Sequence, residues 1–257
     1  MIRISFWLMV CLLGLCCQLP VAVARATTQC VYNFTAGSGS SYLSYCVTVN
    51  GNIPEIVTPQ YSPLINYPFG EGYGICNESP AQNYTDYGVS DTGNWHPATL
   101  LSHTLNSVEI ARTTSDSHWT LTQTIILTGT PTITVVMALK NNQSIQKVAY
   151  LVRFADTGPS GNASNYVAGF GGAFGFSNGV AGTAQYGLLL QNAAKPPFGF
   201  WQGYVQTVTT GPNACAFAYN AAQYGTILSG SGSIEVAYVG AVPAGGSKTI
   251  TLIYRGS

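Results

Sequence analysis

From about Leu105 to the C-terminus the chain alternates apolar and polar side chains in runs of strand length. Val108 and Ile110 fall on one face with Ser107 and Glu109 on the other, and Trp119, Leu121 and Ile125 fall opposite Thr120, Thr122 and Thr124. Successive side chains of a strand point to opposite faces, so this period of two predicts half-buried strands. Ile133, Val135, Met137 and Leu139 form a further set that ends at Asn141-Asn142. Val148, Tyr150, Val152 and Phe154 resume the alternation on one face after a short loop, which predicts a hairpin. Ile234, Val236 and Tyr238, then Pro243-Ala244-Gly245-Gly246, then Ile250, Leu252 and Tyr254 predict a turn between two closing strands.

Helix signals are missing. No stretch after residue 26 keeps an i, i+3, i+4, i+7 apolar stripe for twelve residues without Gly, Pro or β-branched runs, and Glu and Lys are scarce. The expected fold is therefore all-β, a large antiparallel β-sandwich formed by residues 27–257 as a single domain. Residues 96–257 carry the strands. In residues 27–95, Asn, Gly, Ser, Pro and Tyr interrupt short apolar pieces, so a loop-rich part laid against the sandwich is expected there, with no linker between the two. The Gly-rich stretch from Val167 to Gly187, with Phe170, Phe174 and Phe176 between glycines, fits tightly bent strands or a mobile loop.

Composition narrows the class. The 257 residues are 46% hydrophobic and 12% aromatic but only 7% charged, which excludes a disordered chain. Residues 1–26 have the form of a signal peptide: Arg3, an apolar run from Ile4 to Cys17, Pro20, then Ala22, Ala24 and Ala26. The run is too short to span a bilayer, so no membrane span is expected once the leader is removed. A lipid-carrying Cys16 or Cys17 is disfavoured, because Leu15 or Cys16 stands where a small residue is needed. The expected location is secreted, extracellular or periplasmic. Without Arg3 and Arg25 the nine basic residues fall to seven against nine acids, which excludes a nucleic-acid binder.

Cys11, Cys16 and Cys17 leave with the leader, and Cys30, Cys46, Cys76 and Cys215 remain. An even set in an oxidising compartment permits three disulfide connectivities, of which Cys30 with Cys46 and Cys76 with Cys215 is the expected one. The first pair closes a short loop around Gly37-Ser38-Gly39-Ser40, and the second ties the irregular front to the back. No C-x-x-C or H-x-x-x-H spacing supports a metal site, and no cofactor motif is present.

Two segments resemble the immunoglobulin-like β-sandwich modules of secreted and surface proteins of bacteria. Ile133 to Asn142 followed by Val148 to Phe154 resembles their hairpin with Asn at the turn, and Val242 to Leu252 resembles their final turn and strand. Together they cover about a fifth of the chain, and roughly ninety residues separate them. The resemblance implies a sandwich enlarged by insertions and implies no activity.

Chemistry is sparser. Gly175-Phe176-Ser177-Asn178-Gly179 matches G-x-S-x-G, but the residues after it carry Gly182 and Gly187 instead of a helix, and His96, His103 and His118 all precede Ser177. His96 or His103 with Glu109 or Glu71 offers proton-transfer groups for a secreted carbohydrate-active enzyme, which is the alternative function. Asp116 and His118 lie in the same stretch. Asp156 with the Gly and Asn residues after it lacks the acidic repetition of a calcium loop. Phe200-Trp201-Gln202-Gly203-Tyr204 combines aromatic faces with a neutral amide, as sugar recognition needs; Trp201, Tyr204, Gln202 and Trp95 are the candidate ligand-binding residues. As a strand this segment puts Phe200, Gln202 and Tyr204 on one face and Trp201, Gly203 and Val205 on the other. Sequons stand at Asn33, Asn77, Asn83, Asn142 and Asn162. The leading expectation is an exported, non-enzymatic binding or structural protein whose partner is a glycan or an envelope component.

Overall fold

The computed structural model describes residues 30–65, 70–88, 90–158, 164–169, 171–177, 186–206, 213–216, 227–230 and 232–256. The leader expected at residues 1–26 and the sequon at Asn162 lie outside them. The strands are β1 (Tyr32–Ala36), β2 (Leu43–Val47), β3 (Glu55–Val57), β4 (Glu71–Glu78), β5 (Ala81–Tyr87) and β6 (Ser90–Asp91). They continue as β7 (Thr99–His103), β8 (Ser107–Thr113), β9 (Trp119–Gly129), β10 (Thr132–Asn141), β11 (Lys147–Thr157) and β12 (Ser164–Gly169). The last are β13 (Gly172–Ser177), β14 (Gly187–Asn192), β15 (Phe200–Gln206), β16 (Ile227–Gly230), β17 (Gly232–Val242) and β18 (Ser247–Gly256).

Two antiparallel sheets face one another. The nine-stranded sheet runs β16-β12-β13-β14-β18-β10-β9-β8-β7, and the six-stranded sheet runs β15-β17-β11-β4-β5-β6. A third sheet, β1-β2-β3, lays Phe34, Leu43, Tyr45, Val47 and Ile56 against the same core. The period of two holds in the nine-stranded sheet: Val108 and Ile110 of β8, and Trp119, Leu121 and Ile125 of β9, are buried while their neighbours are half-exposed.

In the six-stranded sheet the alternation fails for a physical reason: both faces are covered along β4 and most of β11. β11 turns Ala149, Leu151 and Ala155 into the main core, the phase opposite to the expected set, yet Val152 and Phe154 on its other face are also buried. Apolar residues on both faces give a near-continuous run without a readable phase. The same covering hides the phase of β4; β4 and β5, of eight and seven residues, are inner strands of this sheet in the part expected to be loop-rich. β4 reads Glu-Gly-Tyr-Gly-Ile-Cys; a Cβ on Gly72 would overlap the backbone of Asp86 and Tyr87, so the small residue is required there.

The hairpin expected between Ile133 and Phe154 is an arch between sheets. β10 pairs with β9 and β18, and β11 pairs with β17 and β4. β17 and β18 are joined by a second arch, and the two arches lock together. Asn141 donates from Nδ2 to Ile145 O (2.8 Å) and Val242 O (3.1 Å), its backbone N–H donates to Gly246 O (2.9 Å), and Gly245 N–H donates to Gln143 O (3.2 Å). The Asn read as a turn residue thus holds the crossing. The described part of the Gly-rich stretch lies in β12, β13 and the start of β14, with Phe174 stacked on Phe176 at 5.2 Å; Phe170 and residues 178–185 lie outside the described residues.

Where β15 meets the opposite sheet, Gly203 lies against the β12–β13 turn, and a Cβ there would overlap the Gly172 carbonyl. Gly203→Ala is expected to cost about 1–3 kcal/mol by overpacking; an unchanged urea midpoint would contradict this close approach.

Candidate functional site

The interior holds charged residues. Arg153 of β11 and Glu71 of β4 are completely buried, as are Gln123 of β9 and Tyr254 of β18 from the facing sheet. Arg153 donates from Nε to Glu71 and from Nη1 to Gln123, and Tyr254 donates to Glu71 Oε1 at 2.6 Å. A second group lies toward the edge. Arg112 of β8 donates to Asp86 of β5, to Asp91 of β6 (2.9 Å) and to the His96 carbonyl (3.2 Å), joining the two sheets.

A loop from the small sheet completes both groups. Asn50 O accepts from Tyr73 Oη (2.8 Å) and Gln123 Nε2 (3.4 Å), and Gly51 O accepts from Arg153 Nη2 (3.3 Å). Asn52 Nδ2 donates to Asp86, and Ile53 N–H donates to Glu71 Oε2 at 2.7 Å. Trp95 lies between the groups, 5.2 Å from the Arg112 guanidinium and 5.6 Å from the Tyr73 ring.

Burial raises the Glu71 carboxyl, against the pull of Arg153, Tyr254 and the Ile53 amide. Burial likewise pushes Asp86 up to about 7, against Arg112 and Asn52. Every group addressing Glu71 is a donor, so its oxygens act as acceptors in a closed structural network. No side of it is left to a substrate.

The proposed proton-transfer residues do not meet. Glu71 is inside, Glu109 is on the outer face of β8, His96 is exposed in a loop, and His103 is exposed on β7 with its ring 5.0 Å from Tyr32. The one close His–carboxylate contact among the described residues is His118 with Asp116, Nδ1 to Oδ2 at 2.9 Å. Partial burial alone would raise Asp116, but bonds from Thr114, Tyr84 and the His118 amide bring it below its usual value. Ser177 is a buried residue of β13 whose Oγ accepts from Tyr186 N–H at 3.2 Å, so no exposed nucleophile stands there. Asp156 is buried inside β11 and not in a loop. Trp95 is a core residue whose Nε1 donates to Thr85 O (3.3 Å), so its ring is closed to a ligand.

Cys30 is bonded to Cys46 and Cys76 to Cys215, with Cα separations of 5.3 and 4.9 Å. Among the described residues one group of three metal-type ligands gathers, Cys30, Cys46 and Glu55, and its sulfurs are joined to each other.

The remaining candidates divide as their strand phase requires. Trp201 and Val205 face the main core; Phe200, Gln202 and Tyr204 face outward. Cross-strand register places Phe200, Val239, Tyr150, Cys76 and Asn83 in one row across the outer face of the six-stranded sheet. Gln202, Ala237, Val152, Gly74 and Thr85 form the next row, and Tyr204, Glu235, Phe154, Gly72 and Tyr87 the one after. Burial is uneven among the described residues of this face. Ala214, beside Cys215, packs against Val152 and Ala237, and Tyr204 is buried, its hydroxyl raised by burial and by Glu235. Phe200 is 49% exposed, Gln202 is half-buried, and Tyr150, two strands from Phe200, is half-buried against the Cys76–Cys215 pair.

No protein-family model matches the chain, and no curated protein matches its sequence. By fold it is similar to a bacterial glucoamylase solved with acarbose, at TM-score 0.57 and 10% identity over 88% of this chain. The match spans 32% of the glucoamylase. It is also similar to a galactose mutarotase-like protein from Lactobacillus casei ATCC 334, at TM-score 0.52 and 10% identity over 88% of this chain and 100% of that one. The class these likenesses define is one of fold: a large antiparallel β-sandwich.

Glu71→Ala leaves the Arg153 charge buried without its carboxylate and is expected to cost about 3–5 kcal/mol in chemical denaturation. Asp86 gives a pH signature. Its folded pKa of about 7 exceeds the ordinary value, so the folded chain keeps a proton that the unfolded chain has released. Stability is then expected to fall as pH rises from about 4 to about 7, and Asp86→Asn to reduce that slope, as read from melting temperatures across this range.

Proposed function

We propose that this chain is an exported β-sandwich that binds a glycan on the outer face of its six-stranded sheet without catalysing a reaction. The carrying observation is one row of this face: Phe200, exposed, and Tyr150, half-buried, are two strands apart on it, with Gln202 in the next row. Two inter-strand steps of about 4.8 Å separate the rings by roughly 10 Å. Aromatic faces accept the C–H faces of sugar rings while an amide bonds their hydroxyls. The fold is shared with proteins whose names concern sugars, and the two disulfides fit an oxidising compartment. Among the described residues no helix is long and apolar enough to cross a membrane. An envelope polysaccharide is a partner of the same chemistry.

The second reading, a secreted carbohydrate-active enzyme, draws on the His118–Asp116 pair, whose imidazole is 42% exposed. Its His96, His103, Glu109 and Glu71 assignment has no geometric support. Titration of neutral oligosaccharides and envelope fractions separates the two. Phe200→Ala and Tyr150→Ala are each expected to weaken binding roughly 2–10-fold, the worth of one aromatic contact. Turnover of a sugar lost in His118→Ala would favour the enzyme; no retention on any glycan would end the binding reading.

A further inference from the structure

Among the described residues the buried charged side chains are four acids, Glu71, Asp86, Asp156 and Glu235, and two bases, Arg112 and Arg153. The residues from 27 on that lie outside the described ones contain no Asp, Glu, Lys, Arg or His. Arg153 meets Glu71 and Arg112 meets Asp86 between the sheets. Asp156 and Glu235, 3% and 0% exposed, lie on the opposite, outer face of the six-stranded sheet, and no buried base accompanies them. The half-buried lysines are engaged elsewhere: Lys147 donates to Ser79 O (3.0 Å) and Lys248 to Pro197 O (2.7 Å). Two buried negative charges therefore need a positive charge that the chain does not supply.

Register brings the two acids together. Asp156 of β11 stands opposite Ser233 of β17, and Phe154 stands opposite Glu235. Asp156 and Glu235 are thus diagonal neighbours on one face, with Cα atoms about 7–8 Å apart, a spacing that side chains of their length span. Ser233 shares this face, is completely buried, and its Oγ finds no hydrogen-bond partner among the described residues. We infer that Asp156, Glu235 and Ser233 form a calcium site. Its donors are all oxygen, with no nitrogen or sulfur, which selects a hard cation. The two carboxylates balance the charge of one divalent ion. With the hydroxyl they offer up to about five of the roughly six to eight oxygens that calcium takes, and so complete burial suits calcium better than magnesium, which keeps several waters. The site lies two rows from Phe200 and is independent of the glycan-binding reading.

Calorimetric titration of the mature, disulfide-bonded protein, first stripped with a chelator, against calcium chloride from about 0.01 to about 10 mM tests it, a range that spans extracellular calcium sites. One ion per chain is expected, with a melting temperature that rises with calcium. Asp156→Asn and Glu235→Gln are each expected to weaken binding at least about tenfold and to abolish the rise, while melting no lower than the wild type in chelator because an unmet buried charge is gone. Ser233→Ala removes only a neutral donor and is expected to weaken binding about two- to tenfold, which keeps the test open should an acid variant fail to fold. A wild type that binds no calcium, and melts alike with calcium and with chelator, overturns the inference. So do calcium binding that none of the three substitutions weakens, and a site that takes magnesium in preference to calcium.

Discussion

Arg153 has no access to water, and its charge must be met from inside the protein. Its guanidinium reaches Glu71 in its own sheet, Gln123 in the facing sheet and Gly51 in the loop that follows β2. The same loop supplies an amide to Glu71 and a side-chain amide to Asp86. One backbone segment therefore completes hydrogen bonding for two buried acids and a buried cation, and the small sheet that carries it is part of the sandwich energetically. The Cys30–Cys46 bond fixes the strands from which the loop emerges. Removing any one partner leaves a buried polar group unmet, so these residues specify a single arrangement of three sheets.

That constraint also separates structure from function. Catalytic-looking residues collect in the interior, where Glu71, Asp86, Arg112 and Arg153 are committed to one another and screened from ligands. The outer face of the six-stranded sheet is different in kind: its Glu235 is buried, Ala214 beside the Cys76–Cys215 bond packs on Val152 and Ala237, and Phe200 is exposed. Under the proposed reading, the exposed Phe200 ring supplies the surface on which an uncharged ligand stacks.

Much of this was legible in the residues, and the failures share a cause. β8, β9, β10 and β18 each have one face on the core and one toward solvent, so their period of two stood out. The division of Phe200, Gln202 and Tyr204 from Trp201 and Val205 followed from the same rule. β4 and β11 are covered on both faces, which erases the phase; it hid β4 and reversed the assignment of β11. The first arch reads as a hairpin because Asn141-Asn142 marks a change of direction whether the chain returns to the same sheet or crosses to the other. The charged seam did leave a signal. Arg112 follows Val108 and Ile110 in phase, and Gln123 sits between Leu121 and Ile125. In a chain with so few charges, a polar residue in the apolar phase of a strand marks a buried network, whereas its partners in the Thr48–Ile53 loop have no periodic signature.

Native-state hydrogen exchange at the Ile53 amide tests the central claim most directly, because that N–H is the loop's bond to Glu71. If the loop is locked into the seam, Ile53 exchanges only through global unfolding, with the free energy and denaturant dependence of Leu121 and Leu151 in the core strands. Exchange through a low-energy, denaturant-insensitive opening while those strands stay protected would show that the loop merely covers the network, and the account would fail.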